Sequence, residues 1–154
     1  MTAAGRSISL RFLNRAEVES LLPGADELVS VIEAGLRAHG CKETVLPPKA
    51  HLALDHLVNG HFNILSGYVG SVRRAGVKVI GDYVDNWKRH LPSEVALLTL
   101  YDPETGVPSC IMDATSLTWQ RTGAVTCVGA RHLAKTDSRI VTHIGARGDR
   151  KSVV

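Results

Sequence analysis

Two cations in this chain stand in surroundings that invite chemistry. Lys78 interrupts the apolar run Gly76-Val77-Lys78-Val79-Ile80, where a solvated surface lysine is out of place. Arg121 falls a turn or two inside an expected helix that follows directly on an expected β-hairpin. A lysine in a dry strand loses its proton more readily than in water, and keeping it charged there requires an anionic partner. Arginine presents a planar fork of donors that matches a carboxylate. Read as a pair they point to one pocket that binds a small carboxylate; read singly, Lys78 is a strand-edge lysine snorkelling to water and Arg121 a helix-surface ion pair. Each charge-assisted hydrogen bond contributes about 1.5–3 kcal/mol, so two or three cations suffice to anchor such a ligand.

The other candidates for chemistry are weaker. His51, His56 and His61 recur every five residues, which is not the spacing that sets two ligands on one helix face. No cysteine or carboxylate completes a set around them, so no metal is expected. Cys41, Cys110 and Cys127 form no CxxC pair and leave an odd count, which fits a reduced, cytoplasmic protein better than a disulfide-stapled one. The net charge of +3 is scattered rather than gathered into a stripe, which argues against a nucleic-acid partner. No apolar run approaches the roughly 20 residues that span a membrane, and the N-terminus lacks a continuous apolar segment of signal-peptide length. The 154 residues, 44% of them apolar, are enough for one domain with a real core and not comfortably for two.

The elements that must position Lys78 and Arg121 follow in chain order. Ile8 to Leu13 alternates as a short strand, and Asn14 with Glu17 forms a capping-box pattern for a helix through Val18, Leu21 and Leu22 that Pro23-Gly24 stops. A longer helix is predicted from Ala25 to Ala38 with Gly40 ending it, and both helices read as cover for a sheet. Lys49 to Leu54 alternates as a half-buried strand, and Asn59-Gly60 turns the chain into a partner strand from His61 to Ser66. Val77 to Tyr83 carries Lys78. Val95 to Tyr101 and Val107 to Met112 form a hairpin about Asp102-Pro103-Glu104-Thr105-Gly106. A helix from Thr115 to Ala134 shows a stripe of Leu117, Ala124, Val128, Ala130, Leu133 and Ala134. The order reads as an α+β chain with a largely antiparallel or mixed sheet and covering helices. A last strand, Ile140 to Ile144, runs into Gly145-Ala146-Arg147-Gly148, the way a dinucleotide-binding βαβ unit begins. Residues 149–154 continue neither pattern and read as a non-native tail on a truncated reading frame.

The segments AGVKVIG, LPSEVALLTLYDPETGVP, MDAT, WQRTGAVTCVGARHLA and RIVTHIG fit one family in both order and spacing. From Phe12 to Gly148 the chain resembles the ornithine cyclodeaminase/mu-crystallin family. The resemblance implies that residues 1–138 belong to a substrate-binding and dimerisation domain. Residues 139–148 would then begin an NAD(P)-binding Rossmann domain, truncated here. It implies that Lys78 is the catalytic lysine, which contacts substrate and assists proton movement. Arg121 would bind the substrate carboxylate and, with Thr122 beside it, contact the cofactor. Ser93 would contact the nicotinamide nucleotide, and Gly145 and Gly148 the phosphates. Lys49 stands where members often carry a second carboxylate-binding arginine, and Arg147 where a second glycine is usual. The implied cofactor is NAD or NADP, and the implied assembly is a homodimer. The implied chemistry is ornithine conversion to proline plus ammonia, amino-acid dehydrogenation or ketimine reduction. A mu-crystallin-like protein that binds nucleotide and a small ligand without required turnover is the alternative. The catalytic aspartate of the family would lie beyond Val154, so the 154-residue chain by itself is expected to be inactive.

Overall fold

The computed structural model describes residues 7–54, 56–142 and 144. In chain order these form β1 (Arg11–Leu13), α1 (Arg15–Leu21), α2 (Ala25–Gly40), β2 (Thr44–Val45), β3 (Ala50–Ala53), β4 (Gly60–Val69), β5 (Arg74–Tyr83), β6 (Glu94–Tyr101), β7 (Pro108–Asp113) and α3 (Thr115–Leu133). One mixed sheet runs β1-β7-β6-β5-β4-β2, with β3 also paired to β4. β1 is parallel to β7 and the other pairs are antiparallel. The α+β class and the mixed sheet match the sequence reading.

Local signals explain most element ends. Asn14 Oδ1 accepts from Glu17 N at 3.1 Å while Glu17 Oε2 accepts from Asn14 N at 2.8 Å, which completes the capping box at the start of α1. Asp102 Oδ1 accepts from the backbone N–H groups of Glu104 and Thr105, both at 2.9 Å, and closes the β6–β7 turn. Gly106, at φ +71°, supplies the left-handed residue that this turn requires. Gly60 sits where a Cβ would lie 2.4 Å from Tyr83 Cδ1, so glycine lets the Tyr83 ring cross β4.

Side-chain alternation gives the sheet two unlike faces. Ile80, Ala96 and Ala114 are buried on one face, with Leu65, Leu98 and Leu117 packed around them. α3 therefore covers this face. α2 packs on α3 through Val29, Ala124 and Val128, with Leu28, Ile32 and Cys127 alongside. α2 thus covers α3 rather than the sheet, while α1 lies against both α3 and β7. On the opposite face Val79, Val95, Leu97, Ile64 and Leu52 all remain exposed.

Four expectations need correction. Gly40 is still helical, and the left-handed residue that ends α2 is Lys42 at φ 64°, where Glu43 N bonds Ala38 O at 2.9 Å and Lys42 N bonds His39 O at 3.0 Å. β3 alternates in sequence but is exposed on both faces, because it lies on the outer edge of β4 with no described element packed over it. Ala130, Leu133 and Ala134 do not extend the buried stripe of α3; Leu133 is 86% exposed, past the reach of α2. Residues 140–142 and 144 take no strand, and Ile140, Val141 and Ile144 are exposed, because no described strand pairs with their backbone. Gly145 and Gly148 lie outside the described residues.

Candidate functional site

β5 lies between β4 and β6 along its length, and its register sets Lys78 opposite Leu65 on one side and Leu98 on the other. Lys78 is separated from Ile80 by one residue, so both point to the face under α3. The ammonium group is thereby carried into a half-dry space between sheet and helix. Nζ donates to Thr118 Oγ1 at 3.2 Å. Burial holds the Lys78 pKa down to about 8, the Arg121 guanidinium pushes in the same direction, and the Glu94 carboxylate opposes both. A lysine so placed exists in charged and neutral forms near pH 8, which is what a group that both binds an anion and passes a proton needs.

The start of α3 is fixed to the sheet. Ala114 N donates to Ala96 O at 2.8 Å, and Ala96 N donates to the buried Thr115 Oγ1 at 3.1 Å. Asp113 Oδ1 accepts from Thr115 N at 2.9 Å. These bonds set the helix rotation at its first turn. Thr118, Arg121 and Thr122 then follow at i, i+3 and i+4, the spacing that shares one helix face. Thr122 Oγ1 donates to Thr118 O at 2.7 Å. The far side of the helix start is held by α1, where Ser116 Oγ donates to Glu19 Oε1 and Arg15 Nε pairs with the same carboxylate at 2.8 Å.

The structure therefore brings Lys78 and Arg121 into one electrostatic neighbourhood, with Thr122 on the same helix face. Lys49 is exposed just before β3. Continuing the β3 register by one residue from Ala50↔Ile64 sets Lys49 beside Leu65, in the row that holds Lys78. Ser93 is half-buried before β6, and its carbonyl accepts from Tyr83 N at 2.7 Å. It lies five residues from Leu98 along the strand direction, about 16 Å at 3.3 Å per residue, so it flanks the site rather than joining it.

Sequence reasoning missed Thr118 and Glu94. Thr118 was legible in principle, since Thr118-x-x-Arg121-Thr122 is a polar triplet on one helix face, though only apolar spacing was read there. Glu94 carries no local signal, because its effect on Lys78 comes from the pairing of β5 with β6. His51 and Asn63 also share this face of the sheet, with His51 Nδ1 and Asn63 Oδ1 3.0 Å apart. Among the described residues no group of three or more His, Cys, Asp or Glu side chains is arranged to hold a metal.

This chain shares its sequence and fold with known enzymes. The model of the "Ornithine cyclodeaminase/mu-crystallin family" matches residues 9–151. Nodulation efficiency protein NfeD of Rhizobium meliloti is 38% identical over 138 residues, covering 89% of this chain and 42% of that protein. An archaeal alanine dehydrogenase dimer with bound NAD superposes with a TM-score of 0.77 at 32% identity, over 84% of this chain and 38% of that one. The Δ1-pyrroline-2-carboxylate reductase of Thermococcus litoralis, in complex with NADH and L-proline, gives a TM-score of 0.79 at 29% identity, over 84% and 39% of the two chains. The present chain thus spans about two fifths of the length of each of these relatives.

Proposed function

Because the chain belongs to the ornithine cyclodeaminase/mu-crystallin family, we propose that it carries the substrate half of an NAD(P)-dependent enzyme acting on a small amino or imino acid. The observation that carries this reading is the pairing of Lys78 with Thr118 beside Arg121 at the sheet–helix junction. Arg121 and the protonated form of Lys78 take the substrate carboxylate, with Lys49 as a third cation at the edge. Lysine at position 49 gives a point charge rather than a fork, so it anchors without fixing the plane of the carboxylate. Thr118 holds Nζ in place, and the neutral fraction of Lys78 near pH 8 accepts a proton from the substrate amine.

The residues present suit a nicotinamide nucleotide. Thr122 Oγ1 gives its own proton to Thr118 O, so what it offers outward is an acceptor for an amide N–H. Ser93 flanks the site just before β6, and residues 139–148, with Gly145 and Gly148, would begin the nucleotide domain. NAD or NADP supplies the hydride acceptor when bound. Oxidation of the α-amine gives an imine, and the reverse is imine reduction. In the lyase variant a side-chain amine would attack that imine and ammonia would leave, the bound nucleotide supplying the hydride that reduces the cyclic imine.

The assembly we infer is a homodimer joined through the bare apolar face of the sheet, supported by exposed Val79, Val95 and Leu97 on adjacent central strands. One structural relative is described as a dimer. No described helix is long and apolar enough to cross a membrane, and a cytoplasmic location completes the proposal, checked by cell fractionation.

The test uses the reading frame extended to the length of the relatives, assayed with alanine, ornithine and cyclic imines against both nicotinamide cofactors. Lys78→Ala is expected to lower kcat/KM by at least about 100-fold, the range of a positioned acid–base group. An unchanged kcat/KM removes Lys78 from the mechanism.

A further inference from the structure

The face that carries Lys78 continues past it into a second polar group. The β3–β4 and β4–β5 registers place His51 opposite Asn63 and Asn63 opposite Ile80, one step along the sheet from the Leu65–Lys78 pair. Asn63 is therefore the diagonal neighbour of Lys78, about 7–8 Å away by Cα. Leu65 and Ile80 form the apolar floor between the two. We propose that His51 and Asn63 form a side-chain subsite beside the Lys78/Arg121 carboxylate site, and that it takes an acidic side chain, so that the ligand is a dicarboxylic α-amino or α-imino acid. This inference rests on the carboxylate-binding reading of Lys78 and Arg121.

The chemistry follows from which hydrogen-bonding groups remain. An amide oxygen accepts only, so the 3.0 Å contact requires His51 Nδ1 to carry the proton it donates to Asn63 Oδ1. That bond takes one of the two lone pairs of Asn63 Oδ1 and leaves both its N–H groups as donors for a ligand, while His51 Nε2 is an acceptor in the neutral ring. The His51 ring is held further by His61, with centroids 4.6 Å apart. Lys49, one row away on the same face, adds a cation. The donors that face a ligand are thus the Asn63 amide and the Lys49 ammonium, and an oxygen-bearing anion satisfies them. Asp82 and Glu94 lie one row further on, opposite each other, and keep the carboxylate from sliding along the sheet toward them. Held by its α-carboxylate at Lys78 and Arg121, an amino acid with two or three side-chain carbons spans the diagonal and lays its methylenes on Leu65.

The experiment is an NMR titration of the chain with alanine, aspartate, glutamate and ornithine at pH 7, following the Asn63 side-chain amide, the His51 ring and the Lys78 and Arg121 signals. One of the two acids is expected to saturate at a concentration at least about tenfold below that of alanine, shifting Asn63 and His51 as well as Lys78 and Arg121. His51→Phe, at an exposed edge position, and Asn63→Leu, checked for native spectral dispersion, should each erase the preference, with acids and alanine then within about twofold. Equal binding of alanine and the acids, or tighter binding of ornithine, overturns the acidic subsite and leaves the Lys78/Arg121 reading standing. No response of Lys78 or Arg121 to any of the four ligands overturns both.

Discussion

Ala96 and Leu97 are neighbours on β6, yet one is 1% exposed and the other 50%. That single step crosses from the face of the sheet that builds the site to the face that is left bare. On the Ala96 side α3 brings Leu117 to the core and Thr118 to Lys78 within one turn, so packing and chemistry share the same cover. On the Leu97 side Ile64, Val79 and Leu97 of β4, β5 and β6 remain exposed. A sheet buried on one face and apolar on both leaves its second apolar face exposed, and through that face the proposed homodimer would join.

Charge placed at the two positions should separate the faces most sharply. Ala96→Glu forces a carboxylate into the Ile80–Ala114 cluster and is expected to cost roughly 4 kcal/mol or more, enough to unfold the chain, measured by urea denaturation with circular dichroism. Leu97→Glu, next door, should leave the monomer within about 1 kcal/mol of wild type while weakening self-association by at least about tenfold in analytical ultracentrifugation. If Leu97→Glu left the association unchanged, the bare face would not be the interface.

A smaller effect should sharpen what lies under α3. Lys78 has a folded pKa of about 8, set first by burial, against an ordinary 10.5. Below pH 8 both states are protonated and the cost of holding the charge in a half-dry space is present in full. Between 8 and 10.5 the unfolded chain binds the proton that the folded chain has lost, so stability rises with pH across that window. Lys78→Met should remove this rise, and the difference between the two proteins in urea midpoints should change from pH 7.5 to 10.5 and be flat below it. Carboxylate binding should run the other way, weakening as pH climbs through 8. An unchanged difference across the window would place the ammonium group in open water.

Several local features of the fold could be read from residues alone, for identifiable reasons. The capping pair Asn14 and Glu17, the 102–106 turn and the lysine interrupting an apolar strand are local signals, and local signals survive without coordinates. Thr118 lies 40 residues from Lys78 and acquires its role only when α3 folds over β5. Periodicity placed Leu133 in a buried stripe because it reports which side of a helix is apolar, not whether anything waits opposite. The apolar run from Ile140 likewise fits a strand without a neighbour to pair with. The two faces themselves are invisible in sequence, since Val79 and Ile80 are equally apolar and only the position of α3 makes one of them core.

The smallest prediction tests whether the faces are independent. α1 has seven residues and one buried side chain, Val18, so little besides its capping box holds its first turn. It stands against α3 at the site-bearing side only, through the Ser116–Glu19 bond and the stacking of Arg15 on Trp119 at 5.6 Å. Asn14→Ala removes the acceptor for Glu17 N and should lower stability by about 1 kcal/mol. The loss frays α1 and loosens the support behind α3, so ligand affinity at Lys78 should fall by no more than about twofold. Association through the Leu97 face should not change at all, because β6 keeps its pairing with β5 and β7 whether or not α1 is capped. A drop in association that tracks the drop in stability would mean that the cover on one face sets the shape of the other, and the two would then have to be treated as a single cooperative surface.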